Sequence, residues 1–173
     1  IKSFTRSLFV PLGIFRDWML IYFLMPLKAT FQSLPWTGVM LLVGAIGWKL
    51  GRWKICFTVM LFVFFIASSG YWVRAMITVY MVFASLLICS MIGIPLGIWA
   101  SKKENRSKLV LNICDVFQTF PSFIYLLPAI MLFQISDVSA IFAIVIYSSI
   151  PMIRYTIFGL RSVPRHIIEA AIT

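Results

Sequence analysis

The chain has 173 residues, 62% of them hydrophobic and 12% charged, with fifteen Lys and Arg against five Asp and Glu for a formal net charge of +10. Soluble domains carry about 25% charged residues and under half apolar ones, so a water-soluble core of this length cannot hide so much apolar surface and lipid is the expected solvent. The basic residues sit in clusters between apolar runs, a pattern that sets membrane topology and argues against nucleic acid as the partner.

Taken in order, residues 1–28 mix Lys2, Arg6, Arg16, Asp17 and Lys28 with Phe, Leu, Trp and Met. An amphipathic segment of this kind lies in the membrane interface, with Trp18 and Tyr22 at headgroup level. The alternative is a span, which places Arg16 and Asp17 near mid-bilayer at a cost of several kcal/mol for even one charge. The in-plane helix is the favoured reading.

Five charge-free windows follow: residues 29–48, 55–73, 75–101, 116–136 and 138–153. In the first, Pro35 opens the helix and Trp36 marks an interface. The third is the longest, and its surplus length implies tilt or extension beyond the hydrocarbon. Lys49, Arg52 and Lys54 follow the first window; Lys102, Lys103, Arg106 and Lys108 the third; and Arg154, Arg161 and Arg165 the last. Only Arg74 marks the gap after the second and only Asp137 the gap after the fourth. The positive-inside rule therefore puts the three basic elbows in the cytoplasm. Alternation then leaves residues 1–28 outside, where their basic residues fit poorly, and this keeps the spanning alternative open.

Within the windows, Gly93 and Gly97 form a G-x-x-x-G pair that admits a neighbouring helix closely, although chance pairs are common in apolar segments. Pro95 between them removes a backbone hydrogen bond and softens the helix. Pro121 and Pro128 in QTFPSFIYLLPAIMLF free carbonyls that another helix, a hydroxyl or water must satisfy. Such irregular helices line the path of a transporter or are tolerated as kinks in a static bundle. Phe117, Phe120, Phe123 and Tyr125 line an aromatic passage on the first view and meet lipid or core on the second. Arg154, one turn past Pro151, is expected to snorkel to the headgroups. Cys56, Cys89 and Cys114 are isolated, so neither a metal site nor a disulfide framework is indicated. His166 is the lone histidine and has no second ligand candidate beside it. The five acidic residues are dispersed, and no catalytic set or phosphate loop can be assembled. Neither catalysis nor a cofactor is expected.

GLRSVPRHIIEAA, at residues 159–171, resembles the approach to the cytoplasmic EAA loop in permease subunits of bacterial ABC importers. Glu169, Ala170 and Ala171 match the opening of that motif, and the chain stops before its glycine. GIPLGIWASKK, QTFPSFIYLLPAIMLF and IPMIRYTIFGLRSVPRHIIEAA fall in the order and spacing of glycine betaine/proline-type permeases, a resemblance running from about Trp72 to the end. It implies an all-α, multi-span helical bundle of the MetI-like permease type, read here as a fragment truncated at its C-terminus. It further implies an interfacial segment at 1–28, two leading transmembrane helices at 29–73, and the start of the permease core at 74–173.

The same resemblance implies a subunit of the bacterial inner membrane with its last helix emerging into the cytoplasm. Its partners would be a cytoplasmic ATPase, an extracytoplasmic solute-binding protein and a second permease subunit, giving a homodimer. Glu169, Ala170 and Ala171 would enter a groove of the ATPase, where small alanines allow close approach and the carboxylate meets donors. Arg161 and Arg165 would hold the elbow. The implied solute is glycine betaine, proline or a related quaternary amine. Permeases for amino acids, taurine or phosphonates, and a non-transporting membrane scaffold, are the alternatives.

Overall fold

The computed structural model describes residues 2–164, with side chains from residue 10 onward. All regular elements among the described residues are helical. The chain divides into two compact units, residues 17–82 and residues 1–16 with 83–173.

The N-terminal helix α1 (Lys2–Met19) runs through a π turn, Leu20–Leu24, into α2 (Met25–Gln32). Pro26 falls where the π turn gives way to α2. Residues 10–32 form one helical stretch long and apolar enough to cross a membrane. Within the 17–82 unit, Lys28 places its ammonium 5.7 Å from the centre of the Tyr80 ring.

Pro35 is extended (φ −69°, ψ 135°) and starts α3 (Trp36–Ser68), the opening expected from the sequence. Gly51 and Arg52 leave helical geometry, Arg52 adopting φ 55° and ψ −151°. This is a reversal and not a mild kink. A Cβ built on Gly44 would lie 3.0 Å from Met60 Sδ, and one on Gly47 would lie 3.1 Å from Cys56 Cα. In a straight helix residues 44 and 60 would be about 24 Å apart. Two arms, 36–50 and 53–68, therefore fold against each other about a turn carrying Lys49, Arg52 and Lys54. They are about 22 and 24 Å long, shorter than a hydrocarbon core of about 30 Å. Gly70, at φ 75°, turns the chain away from the second arm. The indole of Trp72 donates to the Leu34 carbonyl (3.2 Å) in the same unit.

Helix α4 (Trp72–Ser101) begins in this unit and continues into the other. There it is followed by α5 (Glu104–Thr119), a 3-10 turn (Ser122–Tyr125), α6 (Leu126–Phe133) and α7 (Asp137–Arg161). The window 116–136 is not one rod: α5 and the segment Ser122–Phe133 meet at 97°. Pro121 is the cause. The residue before a proline is driven out of helical geometry, and Phe120 is extended at φ −85°, ψ 138°. Pro128, in contrast, lies in the first turn of α6, where a proline is tolerated. Ser136 and Ser139 form a reciprocal capping box that starts α7.

Helix α7 is the hub of its unit. Val138, Ile141, Val145, Ile150, Ile153 and Ile157 are all buried, although they lie on more than one face. One side packs on Ala100, Val110 and Cys114 of α4 and α5. Another packs on Tyr125 and Ala129 of the 3-10 turn and α6.

Candidate transport and coupling site

Gly93 and Gly97 face α7. A Cβ on Gly93 would lie 2.8 Å from Met152 Cγ, and one on Gly97 would lie 2.6 Å from Thr156 Cβ. One turn earlier, Cys89 Sγ donates to the Val145 carbonyl (3.5 Å) and Ser149 Oγ donates to Cys89 Sγ (3.6 Å). Small residues at 89, 93 and 97 thus form a stripe along which the backbones approach closely. The paired positions rise together, from 89 with 145 to 97 with 156, so α4 and α7 run parallel. Their C-terminal ends, at Ser101 and Arg161, lie at the same end of the unit. Pro95 and Pro151 fall inside continuous helices at this crossing.

That shared end is basic. Lys102 and Lys103 follow α4, and Arg106 stacks its guanidinium 4.7 Å from the centre of the Trp99 indole. Glu104, in the charged connection outside the apolar segments, bonds Lys108 at 2.7 Å. That hydrogen bond and the Lys108 charge hold its carboxyl below the usual value, with a smaller contribution from Arg161. The exposed side chain of Arg161 ends α7. Arg165, Glu169, Ala170 and Ala171 lie outside the described residues.

Arg154 has a protein partner. Its guanidinium forms an ion pair with Asp115 on α5, with 28% of the arginine side chain exposed. Asp115 is a residue that reading the sequence passed over. Its signal was a carboxylate stranded in an apolar stretch, with an equally stranded arginine later in the chain. Tyr125, named among the candidate passage aromatics, has a different role. Its hydroxyl donates to the Phe117 carbonyl, which is the acceptor that Pro121, four residues on, has no N–H to serve. The two rings also stack, with centroids 6.2 Å apart. A hydroxyl therefore settles the debt left by the proline and fixes the 97° corner. Phe120 is exposed, and Phe123 lines a cavity of about 400 Å³ between the corner and α7. At the far corner Arg16 donates to Gln134 Oε1 (2.6 Å) and Phe15 meets Phe133, their centroids 6.2 Å apart. Gln134 has φ 60°, which sharpens the turn into α7.

Among the described residues, no group of three or more His, Cys, Asp or Glu side chains is placed to hold a metal ion. The arrangement instead combines a broken helix pair at one level, closely packed parallel helices, and a basic face. Irregular backbone inside an apolar bundle is tolerated where protein buries it or a cavity receives it, and with its apolar helices this marks an all-α, multi-span membrane protein.

Residues 93–173 match the model of the family described as the binding-protein-dependent transport system inner membrane component. Similarity to individual permeases reaches further toward the N-terminus. The chain is 38% identical over 165 residues to the trimethylamine N-oxide transport system permease protein TmoV of Pelagibacter ubique, covering 95% of this chain and 23% of the relative. It is 32% identical over 150 residues to the glycine betaine/proline betaine transport system permease protein ProW of Escherichia coli, covering 87% and 42%. Against the glycine betaine transport system permease protein OpuAB of Bacillus subtilis it is 38% identical over 130 residues, covering 75% and 46%. The chain spans less than half the length of each of these relatives. All three are named as transport system permease proteins.

Proposed function

We propose that the chain forms part of a permease subunit that moves glycine betaine, trimethylamine N-oxide or a related methylated amine inward across the bacterial inner membrane. The main support is the way α7 ends. Helices α4 and α7, tied at Gly93 and Gly97, finish together on one basic face, and the chain then continues into RSVPRHIIEAA. That face is cytoplasmic by the excess of Lys and Arg. The names of the relatives supply the solute class.

In this reading the ATPase is a separate chain that docks on the segment containing Arg165, Glu169, Ala170 and Ala171, with Arg161 at its root. A solute-binding protein delivers the amine from outside, and a second copy of the permease completes the path. Residues 74–173 form the start of the permease core, 29–73 two leading membrane helices, and 1–28 an interfacial helix. Rocking of the core helices alternates access between the two sides, a rigid-body change of packed elements.

Co-purifying the full-length permease with its ATPase, and measuring ATP-driven uptake of labelled glycine betaine and trimethylamine N-oxide into proteoliposomes, tests the proposal. Retention of the ATPase together with uptake of at least one of these solutes is expected. Absence of both would overturn it. Glu169→Arg is expected to reduce uptake to background with membrane insertion intact; wild-type uptake and ATPase retention would remove Glu169 from the coupling role.

A further inference from the structure

The cavity between the 97° corner and α7 has about 400 Å³ of space, within the usual range for small-ligand sites. Ser122 and Phe123 form one wall; Ala140, Ala143, Tyr147 and Ser148 form much of the other. The two alanines, one turn apart, make the room. The rings and hydroxyls give it character: two aromatic rings, three side-chain hydroxyls on Ser122, Tyr147 and Ser148, and no charged side chain in the lining.

The Tyr147 ring is held in place, while Phe123 is largely exposed. Tyr147 packs on Tyr125 at 6.4 Å between centroids, and Tyr125 is fixed by its stack on Phe117 and its bond to the Phe117 carbonyl. On the α7 wall, Pro151 removes the N–H that would serve the carbonyl of Tyr147 four residues earlier.

We infer that this cavity is a transit site for the trimethylammonium group of the transported solute, with Phe123 and Tyr147 as its cation–π walls. The inference rests on the methylated-amine reading given above. Ring faces carry negative electrostatic potential and attract a cation within about 6 Å of the centroid. The lining offers no cationic group to hold an anion. The alanines and Ile144 suit methyl groups, which a hydrated small cation lacks. Without a carboxylate, the hold is loose, and a transit site must release what it admits.

The test uses the reconstituted full-length permease with its ATPase and binding protein. Phe123 is replaced by phenylalanines carrying one, two and three ring fluorines, which drain the π face while keeping shape and fold. Tyr147→Phe serves as the parent for the same series at that position. Uptake of labelled glycine betaine is expected to fall stepwise, by roughly three- to thirtyfold at full fluorination. Competition by 3,3-dimethylbutanoate, in which an uncharged tert-butyl group replaces the trimethylammonium, is expected to stay unchanged across the series. A flat series in a transport-competent wild type would overturn the cavity assignment alone, and leave the groove to a lipid chain or a neighbouring helix. A wild type that takes up no methylated amine would overturn the functional reading, and this site with it.

Discussion

Gly97→Ala adds a single methyl at the tightest point between α4 and α7. The new Cβ would sit 2.6 Å from Thr156 Cβ, 2.7 Å from its Cγ2 and 3.2 Å from the Ile153 carbonyl oxygen. The first of these atoms is fixed to the α7 backbone and the last belongs to it, so rotating a side chain cannot clear the space. Carbon pairs are at rest near 3.5–4.0 Å, so the helices must part by about 1 Å. Overpacking of this kind costs about 1–3 kcal/mol, set against about 0.5–1 kcal/mol gained by exchanging glycine for alanine inside a helix. Gly159→Ala, in α7 with nothing within 4 Å of the added Cβ, receives only the gain. The two variants should therefore differ by about 1–3 kcal/mol, the packing cost alone. Gly93→Ala should fall between them, because its nearest neighbour, Met152 Cγ, belongs to a flexible side chain. Thr156→Gly should rescue Gly97→Ala, whereas Thr156→Ser, which keeps the Cβ, should not. Equilibrium unfolding of the purified full-length permease in mixed micelles reads the series. If Gly97→Ala is as stable as Gly159→Ala, the close crossing is wrong.

Two further outcomes follow from the same unit. Asp115→Asn removes the partner of Arg154, whose Nε is buried without a hydrogen bond. The loss should exceed the 0–1 kcal/mol typical of an exposed pair, at about 1–2 kcal/mol. The exchange Asp115→Arg with Arg154→Asp should recover part of it, and an unfolding midpoint unmoved by Asp115→Asn would show that the pair contributes nothing. Tyr125→Phe strips the hydroxyl that donates to the Phe117 carbonyl, at a cost of about 1–3 kcal/mol. Because that bond fixes the corner, faster hydrogen exchange at residues 117–126 should accompany the loss. Unchanged protection there would refute its bracing role.

The helices were legible in the sequence because charge-free windows and basic elbows are properties of composition, which survives without knowing any contact. The Gly93 and Gly97 pair was legible as a motif, but its partner was not. Nothing local to residues 93–97 points to Met152 and Thr156 more than fifty residues away. The window 116–136 misled for a specific reason. Hydropathy does not register direction, so an apolar run continues smoothly through a right-angle corner that Pro121 imposes on the backbone. The reversal at Gly51 and Arg52 was signalled by charge, yet its sharpness depended on Gly44 and Gly47 admitting the opposite arm. In the candidate site, the aromatic residues could be named but not sorted. Only the freed carbonyl of Phe117 separates Tyr125, which braces the corner, from Phe123, which faces the cavity.

The placement of the prolines bears on how motion would travel. Pro151 removes a hydrogen bond from α7 between the cavity wall at Tyr147 and the end of the helix at Arg161. A softened rod on its own would bend there and absorb a push delivered at that end. Helix α7 is not on its own. Its contacts with α4 bracket Pro151, from Cys89 with Val145 and Ser149 on one side to Gly97 with Thr156 on the other. Pro95 softens α4 within the same stretch. Two weakened helices clamped along three successive turns flex as one body, because bending either alone must break the small-residue packing that excludes even a methyl group at Gly97. Under the proposed coupling, displacement of the basic end would therefore reach Tyr147 through the α4–α7 pair. The Gly97→Ala variant, by prising that pair apart, should weaken transmission as well as stability.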